Sequence, residues 1–137
     1  MSVMLFDVDH LKRANDVHGH LIGDAVLAAV AAQLLVSLRA SDVKCRWGGD
    51  EFLILLPDTP ESGAEHAGGL LARDIQQLRV PTAADALSPT ISIGIATAEP
   101  GENDPMTIVA RADEALYRAK RAGRNGVVST PAVHAVG

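Results

Sequence analysis

Asp7, Asp50 and Glu51 are the acids in this chain best placed to hold a metal ion. Asp50 and Glu51 follow two adjacent glycines in the run Cys45-Arg46-Trp47-Gly48-Gly49-Asp50-Glu51-Phe52-Leu53-Ile54-Leu55-Leu56, and Asp7 closes a short apolar run near the start. Taken alone, Asp50-Glu51 is more often just an exposed acidic turn. If the strands carrying these acids are neighbours, however, the carboxylates converge at one sheet edge. Oxygen clusters of that kind suit Mg²⁺, which takes one or two carboxylates and completes its shell with water and phosphate oxygens.

Cations that could meet such a phosphate are Lys12, about one helical turn past the first strand, and Lys120, Arg121 and Arg124 at the end of the last helix. Cations at a helix C-terminus are favoured by the dipole in any case, which would account for two of those three. Arg124 follows the capping Gly123 and can point back toward the sheet. Asn15 and Asp24 add an amide and a carboxylate, able to read the N1–H and N2–H₂ donors of a guanine edge. The plain alternative for Asp24 is a carboxylate favoured by the dipole in the first turn of the long helix.

The elements that must position these residues follow from periodicity and punctuation. Ser2 to Val8 reads as the first strand and Asp9 to Val17 as a helix with Leu11, Ala14 and Val17 on one side. His18-Gly19-His20 breaks it. A longer helix runs from about Gly23 to Leu38, burying Val26, Leu27, Val30, Ala31, Leu34 and Leu38. The central hairpin turns at Gly48-Gly49, where adjacent glycines permit positive φ, and Pro57 stops its second strand. A helix is expected from Pro60 to about Val80, then a loop over Pro81 to Ser88. Thr90 to Ala96 alternates as a strand with Ile91, Ile93 and Ile95 on one face. Pro105 to Arg121 is the last helix, with Glu114 and Arg118 paired outward, and Asn125 to Ser129 adds a closing strand. The order β-α-α-β-β-α-β-α-β predicts an α/β fold with a mixed sheet.

At 137 residues the chain suits one domain, expected over 1–130, with 131–137 a flexible tail. It is 47% hydrophobic but only 3% aromatic, so the core must be aliphatic. A formal net charge of −5 argues against a nucleic-acid polymer as partner. The single Cys45 excludes an internal disulfide and fits a reducing, cytoplasmic setting. No stretch reads as a membrane span or a signal peptide.

Beyond these readings, the residues resemble a family, the GGDEF domain of diguanylate cyclases. The signature stands intact as Gly48-Gly49-Asp50-Glu51-Phe52. Phe6-Asp7-Val8-Asp9-His10-Leu11-Lys12, Asn15-Asp16, Gly19-His20 and Gly23-Asp24 come before it at the family's spacing. Ser92-Ile93-Gly94, Arg111-Ala112-Asp113-Glu114-Ala115-Leu116-Tyr117, Lys120 and Gly123-Arg124-Asn125 follow. The likeness covers about residues 2 to 129. It implies a palm-type, nucleotidyl cyclase-like sheet and an enzyme condensing two GTP into cyclic di-GMP and two pyrophosphates. By the same likeness Asp7, the carbonyl of Val8 and Asp50 would bind two Mg²⁺ or Mn²⁺ ions per site. Glu51 would assist as a further ligand or as the group deprotonating the 3′-hydroxyl. Lys12, Lys120 and Arg124 would hold the triphosphate, and Asn15 and Asp24 would read guanine. Arg39 and Asp42, in Arg39-Ala40-Ser41-Asp42, would form a product-inhibition site. Catalysis would need a transient homodimer, normally driven by a regulatory domain outside this stretch.

The departures from the family pattern are specific. A helix with an Asp-x-Leu-Thr-x-Leu-x-Asn-Arg-Arg type segment, usual before the first strand, is not in this stretch, which predicts exposed apolar sheet surface. Leu11 and His18 stand where aromatics are usual, and Trp47 replaces a tyrosine. The alternative function is a module that binds GTP or cyclic di-GMP without turnover.

Overall fold

Every residue of strand β1 (Ser2–Val8) is buried, so its apolar run is that of a strand packed on both faces. Met4, Phe6 and Val8 point into one hydrophobic cluster, while Val3 and Leu5 point into another. The computed structural model describes residues 1–130; the expected tail, 131–137, lies outside them. Around β1 the chain runs through α1 (Leu11–His18), α2 (His20–Ser37), β2 (Val43–Arg46), β3 (Glu51–Leu56), α3 (Glu61–Gln76), β4 (Val80–Pro81), β5 (Ala86–Leu87), β6 (Ile91–Thr97), α4 (Pro105–Arg121) and β7 (Gly126–Ser129).

The main sheet has the order β2-β3-β1-β6-β7. Its pairs are antiparallel except β6–β7, which is parallel. This is the mixed α/β sheet expected, wrapped by helices. On one face, α2 and α3 cover Phe6, Ile54, Ile91, Ile93 and Ile95; Phe6 stacks on Phe52 with centroids 5.0 Å apart. On the other, α4 packs Ile108, Ala112 and Leu116 over Val3, Leu5 and Leu53. The helix lies so close to β6 there that a Cβ at Gly94 would collide with the α4 backbone. Toward the β2 edge this face is thinly covered: Cys45 and Leu55 are half-buried and Val43 is exposed.

The structure corrects several expectations. Only Gly19 separates the first two helices. Its φ of 90° lets the chain reverse, so α2 begins at His20 and Asp24 lies beyond its first turn. The dipole reason for an acid at 24 therefore falls away. Val17 and Ala31, expected inside, are exposed. Gly48 and Gly49 do not adopt positive φ, because the connection is a longer loop in which Trp47 and Gly48 donate their amides to the Glu51 carbonyl at 2.8 and 3.2 Å. Helix α3 stops at Gln76, and the segment expected to be loop contains the β4–β5 hairpin. Finally, α2 is long and apolar enough to cross a membrane by length and composition alone, with mean hydropathy 1.7 over 18 residues. In this fold its Val26, Leu27, Val30 and Leu34 are core residues, and Leu21, Leu35 and Val36 are exposed.

Candidate functional site

Antiparallel pairing of β1 with β3 places Asp7 directly opposite Glu51. Directly opposed residues share a face, so both carboxylates lie on the α4 side, at the end of the sheet where the β2–β3 turn crosses β1. The turn is tied down there, since the Val8 amide donates to the Asp50 carbonyl at 3.2 Å, and Arg46 donates to the carbonyls of Gly48 and Gly49. The result is one open cleft lined by Asp7, Val8, His10, Leu11, Lys12, Asp50, Lys120 and Arg124. Six of the residues singled out from the sequence thus meet in one place.

Lys120, on the last turn of α4, donates to Oδ2 of Asp7. Oδ1 of the same carboxylate is buried and has no hydrogen-bond partner among the described residues. Burial pushes the Asp7 carboxyl above its ordinary range; Lys120 opposes the shift, and the Asp50 and Asp113 charges add to it. Glu51 is raised as well, first by burial and then by Asp7 and Asp113. A buried carboxylate oxygen with no donor costs free energy unless a cation reaches it. Two carboxylates and a backbone carbonyl fit a hard divalent cation that also keeps water and phosphate ligands. No group of three or more His, Cys, Asp or Glu side chains able to hold a metal occurs among the described residues, so a closed protein cage is not the fit.

The cleft's other wall is backbone. His10 takes a left-handed conformation (φ 58°) and starts α1, whose N-terminus carries no side-chain cap. The amides of its first turn are therefore left without a side-chain acceptor at the cap, as an anion site requires. Arg124 sits in a turn after α4 with φ 64°. Arg121 stays out of the cleft, against the Tyr117 ring at 5.8 Å.

Asn15 and Asp24 are not part of this cleft. The Oδ1 of Asn15 is buried without a hydrogen-bond partner among the described residues, against Gly23, where a Cβ would collide with it. Asp24 lines a neighbouring groove with Leu27, Leu34, Lys44, Arg46 and Phe52. Arg39 and Asp42 form a third place. Asp42 is 5% exposed; it accepts from the Arg39 amide at 2.9 Å and from Nη2 at 3.0 Å. That same Nη2 donates to the Pro57 carbonyl at 3.1 Å and to Thr59 Oγ1 at 2.7 Å.

Two acids escaped the sequence reading. Asp113, exposed on α4, bears electrostatically on Asp7 and Glu51. Asp9, which stands without an assigned role in the family-like run Phe6 to Lys12, is buried behind the cleft.

The family model described as "Diguanylate cyclase, GGDEF domain" matches residues 1–126. The chain is 40% identical over 135 residues to the response regulator PleD of Caulobacter vibrioides, covering 96% of this chain and 30% of that protein. It is 44% identical over 132 residues to the diguanylate cyclase DgcP of Pseudomonas aeruginosa, covering 91% and 18%. The chain thus spans a third or less of these curated relatives. Among solved structures, the GGDEF domain of DgcB from Caulobacter crescentus in complex with c-di-GMP superposes with a TM-score of 0.87 at 29% identity, covering 93% of this chain and 76% of that one.

Proposed function

The chain belongs to the GGDEF family of diguanylate cyclases, and on that premise we propose that it condenses two GTP molecules into cyclic di-GMP. Each 3′-oxygen forms a bond to the α-phosphorus of the other nucleotide as the bond to pyrophosphate breaks, so two pyrophosphates leave. The observation that carries the reading is the unpartnered, buried Oδ1 of Asp7 beside Asp50, in a cleft with three cations, Lys12, Lys120 and Arg124.

Asp7, Asp50 and the Val8 carbonyl would hold two divalent cations, Mg²⁺ or Mn²⁺. Bound there, such ions supply charge neutralisation of the attacking and leaving oxygens. Lys12, Lys120 and Arg124 bind the triphosphate together with the first amides of α1. Glu51 receives the 3′-hydroxyl proton; its carboxyl, raised by burial and by Asp7, is a stronger base than an ordinary glutamate. Asn15 and Asp24 select guanine. Arg39 and Asp42 bind the product and restrain the enzyme, which works in the cytoplasm as a transient homodimer.

A second reading, a module that binds cyclic di-GMP without turnover, rests on the Arg39–Asp42 pair, preformed and apart from the cleft. Incubating purified protein with GTP and Mg²⁺ and following cyclic di-GMP by chromatography separates the two. Product that accumulates and disappears in Asp50→Ala supports the cyclase; cyclic di-GMP binding with no product from the unmutated protein supports the module.

A further inference from the structure

Asp9 is a charged group that the proposed chemistry leaves unused, and its side chain is 0% exposed. Its carboxylate accepts hydrogen bonds from two separate segments of the chain. Oδ2 accepts from Thr90 Oγ1 at 2.8 Å, just before β6, and Oδ1 from Ser92 Oγ at 2.7 Å, within it. From the turn that leads into β7, the next strand beyond β6, Oδ2 also accepts the backbone amide of Asn125 at 3.0 Å. Arg124 Nη1 lies 3.9 Å from Oδ1, with 42% of that arginine side chain exposed.

The Asn125 contact has a specific consequence. Arg124 and Asn125 are consecutive non-glycine residues with φ of 64° and 44°, a left-handed pair that L-residues adopt reluctantly. The Arg124 amide donates back to the Ala119 carbonyl at 3.1 Å, and the next amide goes to Asp9. The turn that presents Arg124 to the cleft is therefore fixed at its far end by a buried carboxylate. In the chain, Asp9 stands between Val8 and His10, which both line the cleft. At 3.9 Å the guanidinium leans toward the Asp9 charge without spending its donors in a short ion pair, so those donors stay available to a phosphate.

We propose that Asp9 is a positioning residue: it locks the Arg124–Asn125 turn and aims the Arg124 guanidinium at the triphosphate. This rests on the functional reading given above. A carboxylate that served the fold alone would act equally on every ligand contact; one that acts through Arg124 loses its effect when Arg124 is gone.

The test is a double-mutant cycle on GTP binding, measured by calorimetry with Mg²⁺ for the unmutated protein, Asp9→Asn, Arg124→Gln and the double variant. Asp9→Asn keeps one oxygen to accept from Thr90 and the Asn125 amide, turns the other contact into an NH₂ that the Ser92 hydroxyl can accept, and removes the charge facing Arg124. We expect it to weaken GTP about tenfold alone and by less than twofold in the Arg124→Gln background. Hydrogen exchange at the Asn125 amide, without nucleotide, should stay slow in Asp9→Asn and become fast in Asp9→Ala. Equal weakening of GTP in both backgrounds overturns the proposal, as does an Asn125 amide that exchanges no faster in a folded Asp9→Ala. An unmutated protein that binds no GTP overturns the functional reading, and the role of Arg124 with it; the amide then still reports whether Asp9 anchors the turn.

Discussion

Asp7 and Glu51 are directly opposed Cα partners in the β1–β3 ladder, two acids side by side on one face of a buried sheet. Like charges in that relation destabilise an antiparallel pair. Both carboxyls are raised, by burial first in each case, with Lys120 the opposing influence on both. The pair is thus built at a cost to the fold, as carboxyls with raised pKa at functional sites are.

Stability should therefore fall with pH in the absence of metal. For a carboxyl raised in the folded state, both states are protonated below the ordinary carboxylate range and nothing is lost. As pH rises through the window between the unfolded and the raised folded value, the unfolded state releases its proton first, and the folded state is penalised. Above that window the penalty is complete. Glu51→Gln keeps the backbone carbonyl that holds the turn and removes one of the two charges. It should raise the melting temperature at pH 7 without metal by about 2–4 °C, with the gain vanishing in mild acid and shrinking in Mg²⁺. A lower melting temperature for Glu51→Gln at pH 7 would contradict the assignment.

GTP binding should depend on a divalent cation, because a triphosphate beside Asp7 and Asp50 is otherwise repelled. Asp50 contributes its backbone carbonyl, not its side chain, to the hydrogen bond with Val8. Asp50→Ala should accordingly leave melting within about 2 °C and lower turnover by at least 10²-fold. Full turnover in that variant would remove the metal role.

Guanine selectivity is tested at Gly23, a position with no side chain of its own. A methyl group there collides with Oδ1 of Asn15, so Gly23→Ala must displace the amide proposed to read the base. GTP should weaken by about tenfold while ATP changes little. Asp24→Ser should narrow the GTP–ATP gap without the packing strain. Equal affinities for the two nucleotides in the unmutated protein would end this assignment.

For product binding, the relevant detail is which Arg39 donors are committed. Nη2 serves Asp42, Pro57 and Thr59, whereas Nε and Nη1 make no hydrogen bond among the described residues and can meet a phosphate or a guanine edge. Arg39→Lys retains the charge but loses the fork, and should weaken cyclic di-GMP at least tenfold while GTP affinity stays unchanged. Calorimetry decides; unaltered product binding would place the site elsewhere.

How legible the chain was depended on how local each signal is. Helix α4 reads to the residue because Asp104 caps it, accepting from the Met106 amide at 3.0 Å, Pro105 opens it, and Gly123 follows it with φ 114°. Asp7 is legible because it closes an apolar run, and Asp50 and Glu51 because they are consecutive acids after the Gly-Gly pair of a turn. The β4–β5 hairpin was not legible, since two-residue strands have no period to detect. Asp9 was missed for a different reason. Its partners Thr90, Ser92 and Asn125 lie 81, 83 and 116 residues away, so its role exists only in the folded chain.

One domain offers one cleft and one pair of candidate guanine readers, yet the proposed reaction joins two nucleotides, each attacking the other. Two copies must therefore meet with their β2–β3 turns opposed, a two-fold arrangement in which both supply the same residues. Each copy carries a formal net charge of −5, and each brings the opposed acids Asp7 and Glu51 toward the shared face. Charge repulsion should keep that encounter weak until cations and nucleotide are bound. Specific activity should therefore rise with protein concentration in the micromolar range. Fusing a dimerising coiled coil ahead of Met1 would replace the dilute encounter by an effective concentration of order millimolar, raising turnover by roughly one to two orders of magnitude. The measurement is a rate across a dilution series, with and without the fusion, alongside sedimentation. A constant specific activity from a species that sediments as a monomer throughout would contradict the two-domain mechanism, because a single cleft cannot present both reacting nucleotides.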